Sequence, residues 1–155
     1  MLQRIQSIYL LLATVALGAL FIFPLIHGVY INGIAETIKI TGAYQDQNGQ
    51  LVNVEPFTGL SIATALVALI PLIIIFLYKN RTLQSTLCYS AMLVLIGYSY
   101  WASQVAKETI GGAYVNMSNY GIGILLISVS IVFIILAQKA IKRDDKLVKS
   151  ADRLR

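Results

Sequence analysis

The sequence predicts an all-α membrane protein, an antiparallel bundle of four transmembrane helices, and two observations lead to this fold class. Of the 155 residues, 57% are hydrophobic and 12% are charged, against about 25% charged residues in an ordinary soluble domain. A soluble fold of this length cannot bury so much apolar surface. The charged residues also cluster in short segments, which leaves four long stretches free of Asp, Glu, Lys and Arg: Ile5–Ala35, Pro56–Tyr78, Thr82–Ala106 and Thr109–Gln138.

Each uncharged stretch contains a run of about 20 apolar residues, the length of helix that crosses a bilayer. Because a segment in lipid must satisfy its own backbone hydrogen bonds, we expect each run to be helical. The four predicted spans are Ile8–Ile26, Thr58–Tyr78, Ser85–Ala102 and Tyr120–Gln138. The rest of this single polytopic domain, 1–155, consists of two outer loops, an inner turn and a tail: 27–57, 103–119, 79–84 and 139–155.

The basic residues are distributed unequally between the two sides of the predicted bundle. Ten of the twelve Lys and Arg residues lie in the N-terminus, the inner turn and the tail. The positive-inside rule therefore predicts that both termini are cytoplasmic. We expect the same ten residues to bind anionic lipid or a partner protein: Arg4, Lys79, Arg81, Lys139, Lys142, Arg143, Lys146, Lys149, Arg153 and Arg155.

The tail 139–155 has the pattern of a basic amphipathic helix that continues from the fourth span. Asp145 and Lys149 form an i,i+4 pair in the favourable order. Three roles are open for this segment: lying on anionic lipid, packing against a cytoplasmic protein, and binding RNA phosphates. The first is supported by the attraction of basic residues to an anionic leaflet. The last is the least favoured, because three interleaved Asp residues weaken a phosphate track.

The first outer loop is expected to form a small β-hairpin outside the membrane. Ile38–Thr41 and Leu51–Val54 are β-prone. Between them, Asn48-Gly49 is a strong signal for a two-residue hairpin turn. In the second outer loop, Ala113–Val115 is a candidate third strand.

Residues suited to catalysis are absent from the predicted spans, which contain no Asp, Glu, Lys, Arg or His. Proton relays and charged-substrate pathways normally place such a group at membrane depth. The single histidine, His27, and the single cysteine, Cys88, lack the partners of a metal site or a nucleophilic dyad. We therefore expect no enzymatic activity, no cofactor, and no catalytic or metal site.

Small residues recur at helical spacing within the spans, and such faces let helix backbones approach each other. Together with the basic tail, they favour a non-enzymatic accessory or scaffolding subunit of a larger membrane complex. The alternative function is a transporter, or a small-solute or lipid-binding protein, that uses an aromatic outer vestibule. The aromatic residues of that vestibule are Phe21, Phe23, Tyr30, Tyr98, Tyr100, Trp101, Tyr114 and Tyr120.

Three segments, Met1–Ala13, Phe76–Gln84 and Ala140–Arg155, carry a resemblance to a known family. The sequence resembles the bacterial domain-of-unknown-function family 4293, found in the Bacteroidota. The resemblance implies a four-span protein of the inner membrane, with the outer side in the periplasm, and it brings no activity or cofactor. All three segments lie at the predicted cytoplasmic face, where Arg4, Arg81 and the tail acids Asp144 and Asp145 are expected to form a polar network.

Overall fold

The computed structural model of the chain describes residues 3–31, 33–47, 50–78 and 80–152. Four helices are present in these ranges: α1 (Gln3–Ala19), α2 (Thr58–Phe76), α3 (Arg81–Ile110) and α4 (Ile122–Asp152). Four strands lie between α1 and α2: β1 (Ile26–Ile31), β2 (Ile34–Lys39), β3 (Gly42–Gln47) and β4 (Gln50–Pro56). A single 3₁₀ turn, Met117–Asn119, precedes α4.

The prediction of an all-α fold is wrong, because the segment between α1 and α2 folds almost entirely into a sheet. Its strands form an antiparallel meander in the order β1-β2-β3-β4. Residues 48–49, where a turn is expected, lie outside the described ranges; the strands on either side of them are paired, with Gln47 opposite Gln50. However, β4 pairs with β3 and not with the predicted strand Ile38–Thr41, which is divided between β2 and the turn that follows it.

α1 ends at Ala19, whereas the predicted first span continued to Ile26. The chain turns between these residues, and Ile26 begins β1. Pro24 lies in this turn, and proline has no N–H to donate to a helix. The apolar run from Phe21 to Ile26 therefore contains a turn and the start of a strand, a distinction that hydrophobicity alone does not make.

The four-span prediction is also wrong, because two helices in the described chain are long and apolar enough to cross a membrane. They are α2 and the segment Ile122–Val148 of α4. The apolar part of α1, Ile5–Ala19, is shorter, and α3 contains Ser, Tyr and Gln residues along its length. In an apolar stretch of 18 residues in α2, 28% of the residues are buried inside the molecule, and in the corresponding stretch of α4 the share is 33%. Both helices therefore present most of their apolar residues outward, as a helix in lipid would.

The helices are arranged so that α1 and α3 each pack against both α2 and α4. Fully buried residues such as Leu10, Leu17, Leu95 and Ile134 form the centre of the bundle. The sheet covers one end, where Val29, Ile38 and other strand residues join the same core. We call this the sheet end, and the opposite end, where α2 ends and α3 begins, the base.

Candidate functional sites at the two ends of the bundle

An ion pair joins α3 and α4 at the base. Arg81 Nη2 lies 3.3 Å from Asp144 Oδ2, and the two side chains are 27% and 12% exposed. Arg81 Nη1 also donates to the Asp144 carbonyl oxygen at 3.5 Å. This pair joins two members of the predicted polar network, of which the Arg4 side chain lies outside the described residues, and it turns the Asp144 carboxylate toward α3 and away from the outer face of α4.

A tyrosine hydroxyl on α3 accepts two hydrogen bonds from α4. Gln138 Nε2 donates to the Tyr89 hydroxyl oxygen at 2.8 Å, and Lys142 Nζ donates to it at 2.6 Å. The Lys142 ammonium also lies 4.9 Å from the centre of the Tyr89 ring. Tyr89 therefore fixes the position of Lys142 on the surface of the bundle. Gln138 and Lys142 are four residues apart, and this spacing indicates that they share a face of α4. Tyr89 was not identified from the sequence as their shared partner.

Four exposed cations follow one face of α4, and we call them the basic stripe. Each lies three residues from one other member and four residues from another, which is the spacing of neighbours on a helix surface. With Leu147 and Ser150 they line a shallow groove at the base. The members of the basic stripe are Lys139, Lys142, Arg143 and Lys146. Asp144 does not reduce the positive charge of this face, because its carboxylate is paired with Arg81.

The ten basic residues predicted as a site thus separate into three groups. Four form the basic stripe, and Arg81 forms the ion pair. The remaining five, or their side chains, lie outside the described part of the chain: Arg4, Lys79, Lys149, Arg153 and Arg155.

Two buried side-chain amides lie near the base, one on α1 and one on α3. Gln6 and Gln84 are 1% and 0% exposed. Gln84 Nε2 donates to the Ile74 carbonyl oxygen at 3.0 Å, which satisfies an acceptor in the last turn of α2. Within the described residues, Gln6 Nε2 and Gln84 Oε1 have no hydrogen-bond partner. Neither glutamine was assigned a role from the sequence.

A cavity of about 730 Å³ lies at the sheet end, and we call it the α3–α4 cavity. Its walls are the C-terminal half of α3, the N-terminal half of α4, the start of β1 and the loop between the two helices. Of the aromatic residues predicted to form an outer vestibule, Tyr120 is the one in its lining. The lining, as far as the described residues form it, is mostly aliphatic and includes a single charged residue, Lys107.

The N-terminus of α4 is held close to the loop before β1, and this contact shapes the sheet end. The Gly121 N–H donates to the Leu25 carbonyl oxygen at 2.8 Å, and the Gly123 N–H donates to the Pro24 carbonyl oxygen at 3.0 Å. A β-carbon at Gly123 would lie 2.7 Å from that oxygen, and one at Gly121 would lie closer still. The two glycines therefore permit a close approach that supplies acceptors to a helix start, where N–H groups lack partners within the helix.

In the described chain, no three His, Cys, Asp or Glu residues lie close enough together to hold a metal ion. Cys88 is free and buried in α3. The described residues thus present a basic surface at the base and an apolar cavity at the sheet end.

These features define a class of protein, a helical bundle with two helices of membrane-crossing length and an attached antiparallel sheet. A comparison with family models is more specific, since residues 2–154 match the family described as "Domain of unknown function (DUF4293)". The chain belongs to this family, which confirms the resemblance seen in its sequence. No curated protein matches the chain.

Proposed function

We propose that this chain is a non-enzymatic membrane protein that acts as an accessory subunit and docks an acidic partner on the basic stripe. The observation that carries this proposal is the distribution of charge on the groove side of α4, where the described lining contains no Asp or Glu. Its cations follow an exposed face, whereas Asp144 is turned inward to Arg81. A surface with one sign of charge attracts a complementary surface and increases the rate of encounter.

The position of α4 favours a protein partner over a helix that lies flat on lipid. α4 is continuous from the sheet end to Asp152. At the base it is tied to α3 by the Arg81–Asp144 pair and by the Lys142–Tyr89 hydrogen bond. A flat orientation of the tail would break both contacts. The groove beside the stripe also includes exposed Leu147, so it suits a segment that has both acidic and apolar side chains.

The membrane part of the proposal is supported by α2 and α4, whose apolar surfaces are mostly unburied. The positive-inside rule assigns the base to the cytoplasm, because most of the cations lie at that end. The partner that we propose therefore presents its acidic segment on the cytoplasmic side of the membrane.

The test is affinity capture of the full chain from membranes under mild detergent, with two triple variants compared. K142Q/R143Q/K146Q removes three charges, whereas K142R/R143K/K146R retains them at the same positions. We expect a stoichiometric partner with the wild type and the charge-preserving variant, loss of that partner with the glutamine variant, and binding that weakens as salt is raised. Equal recovery with both variants would contradict the proposal.

Anionic lipid is a second candidate ligand of the same stripe, and the position of Lys139 favours it. This lysine directly follows the apolar part of α4, where a long basic side chain can extend toward lipid headgroups. Lipid binding predicts that wild-type protein enriches phosphatidylglycerol over phosphatidylcholine and that K142Q/R143Q/K146Q does so less, with no protein partner recovered in either case.

A further inference from the structure

The α3–α4 cavity exists because small side chains face it from α3. Ala102 and Ala106 are buried there, and Ser99 and Ser103 complete the small-residue wall. The opposite wall on α4 is formed mainly by larger residues: Ile124, Ile127 and Ile131. Small residues let helices approach closely when they meet a complementary surface, but here they border a space of about 730 Å³. This volume lies within the range of about 300–1,000 Å³ that is usual for ligand sites.

Three polar groups of the cavity lie along one line of α3, and Ser128 faces the cavity from α4. Ser99, Ser103 and Lys107 are four residues apart, so they follow one another on the same face over about 12 Å. The Lys107 ammonium forms no hydrogen bond or ion pair with any described residue, and neither do the hydroxyls of Ser103 and Ser128. The cavity therefore combines hydrocarbon walls with a cation toward the end of α3 that no described residue pairs with.

We propose that the α3–α4 cavity binds a monoanionic phospholipid, with an acyl chain along the aliphatic walls and the headgroup phosphate at Lys107. The arrangement of the lining matches the chemistry of such a lipid, which joins apolar acyl chains to a headgroup phosphate that carries one negative charge. The chain's two outward-facing apolar helices favour a membrane location, where such lipids are present. This site lies at the opposite end of the bundle from the basic stripe and does not depend on it.

Selectivity in this site must come from the headgroup. Transfer of an acyl chain from the bilayer into an aliphatic cavity gains little, since lipid tails are as apolar as the cavity walls. The attraction between Lys107 and a phosphate is the interaction that distinguishes an anionic lipid from a zwitterionic one. For one exposed ion pair, we expect about a two- to fivefold preference for the anionic lipid.

The experiment reconstitutes the full chain in nanodiscs with equal amounts of phosphatidylglycerol and phosphatidylcholine. Native mass spectrometry then identifies the lipid that the protein retains after its release. Lys107→Gln removes the proposed headgroup contact. Lys39→Gln is the matched control, because Lys39 also lies at the sheet end, but it stacks over the Tyr44 ring and is not in the cavity lining. Ser128→Leu fills the cavity from an exposed position on α4, so the hydrophobic core is left unchanged.

The proposal predicts that the wild type and K39Q retain phosphatidylglycerol preferentially, that K107Q loses the preference, and that S128L retains less of either lipid. Equal retention of the two lipids by the wild type would overturn the headgroup assignment. Undiminished retention in a folded S128L variant would overturn the location. A free fatty acid retained in place of phospholipid would overturn the choice of ligand.

Discussion

Arg81 and Asp144 form an ion pair of 3.3 Å between the first residue of α3 and the part of α4 that lies at the base. Both side chains are partly buried, so the pair is less screened by water than an exposed one. We expect Asp144→Asn to lower stability by about 1–2 kcal/mol, between the values typical of exposed and buried pairs. The measurement is thermal unfolding, followed by circular dichroism in one detergent. Arg81→Gln should lower the stability of the Asp144→Asn variant by less than it lowers that of the wild type. Fully additive losses of stability would contradict the coupling.

Removal of the Tyr89 hydroxyl should destabilise the contact between α3 and α4. In Tyr89→Phe, the buried amide of Gln138 loses its acceptor, whereas the contact between Lys142 and the aromatic ring is retained. A buried donor without a partner costs about 1–3 kcal/mol. We expect the melting temperature to fall accordingly.

The matched control for Tyr89→Phe is Tyr100→Phe. The Tyr100 hydroxyl accepts a hydrogen bond from Gln104 Nε2 at 2.7 Å, but this pair is exposed. Since water can replace the lost partner there, we expect a loss below about 0.5 kcal/mol. Similar losses in the two variants would show that burial of Gln138 is not the cause.

Alanine at Gly121 or Gly123 should separate the start of α4 from the loop before β1. The added β-carbon would overlap the Pro24 carbonyl, so the chain must move and weaken the two hydrogen bonds at this site. We expect a loss of at least about 2 kcal/mol for each substitution. Gly97→Ala is the control, because Gly97 is inside α3 and nothing lies within 4 Å of the position that a β-carbon would take there. There the change should stabilise the helix by about 0.5–1 kcal/mol.

Much of the helical part of this fold could be predicted from the sequence, because long uncharged apolar runs have few alternatives. α2 begins at the predicted residue, Thr58. The sheet was underestimated because its strands are short and only partly alternating. β1 was included in the first span, since an apolar run that crosses Pro24 has the composition of a helix but the geometry of a turn and a strand. The number of membrane-length helices was overestimated because the prediction depended on the absence of charged residues. It gave too little weight to the short apolar part of α1 and to the uncharged polar residues of α3.

The candidate sites also include features that could be predicted from the sequence and features that could not. The basic stripe could be predicted, since charges three or four residues apart must share a helix face. The contact between Arg81 and Asp144 was also predicted from the sequence, as part of a larger polar network. The α3–α4 cavity was not predicted, because its walls come from segments far apart in sequence and its small residues look like ordinary packing residues. Tyr89 was missed for the same reason, since its partners lie about fifty positions later in the chain.

The buried hydroxyl pair between α2 and α3 should respond unequally to loss of its two members. The Thr64 hydroxyl donates to the Leu60 carbonyl oxygen at 2.7 Å and lies 2.6 Å from the Tyr98 hydroxyl. A hydroxyl has one hydrogen to donate, so Tyr98 must be the donor to Thr64. Thr64→Val therefore leaves the buried Tyr98 O–H without an acceptor, at a cost of about 1–3 kcal/mol. Tyr98→Phe leaves the Thr64 donor still satisfied by Leu60 and should cost less. The two melting temperatures, measured in the same detergent, test this order, and a larger loss in Tyr98→Phe would show that the direction of the hydrogen bond is reversed.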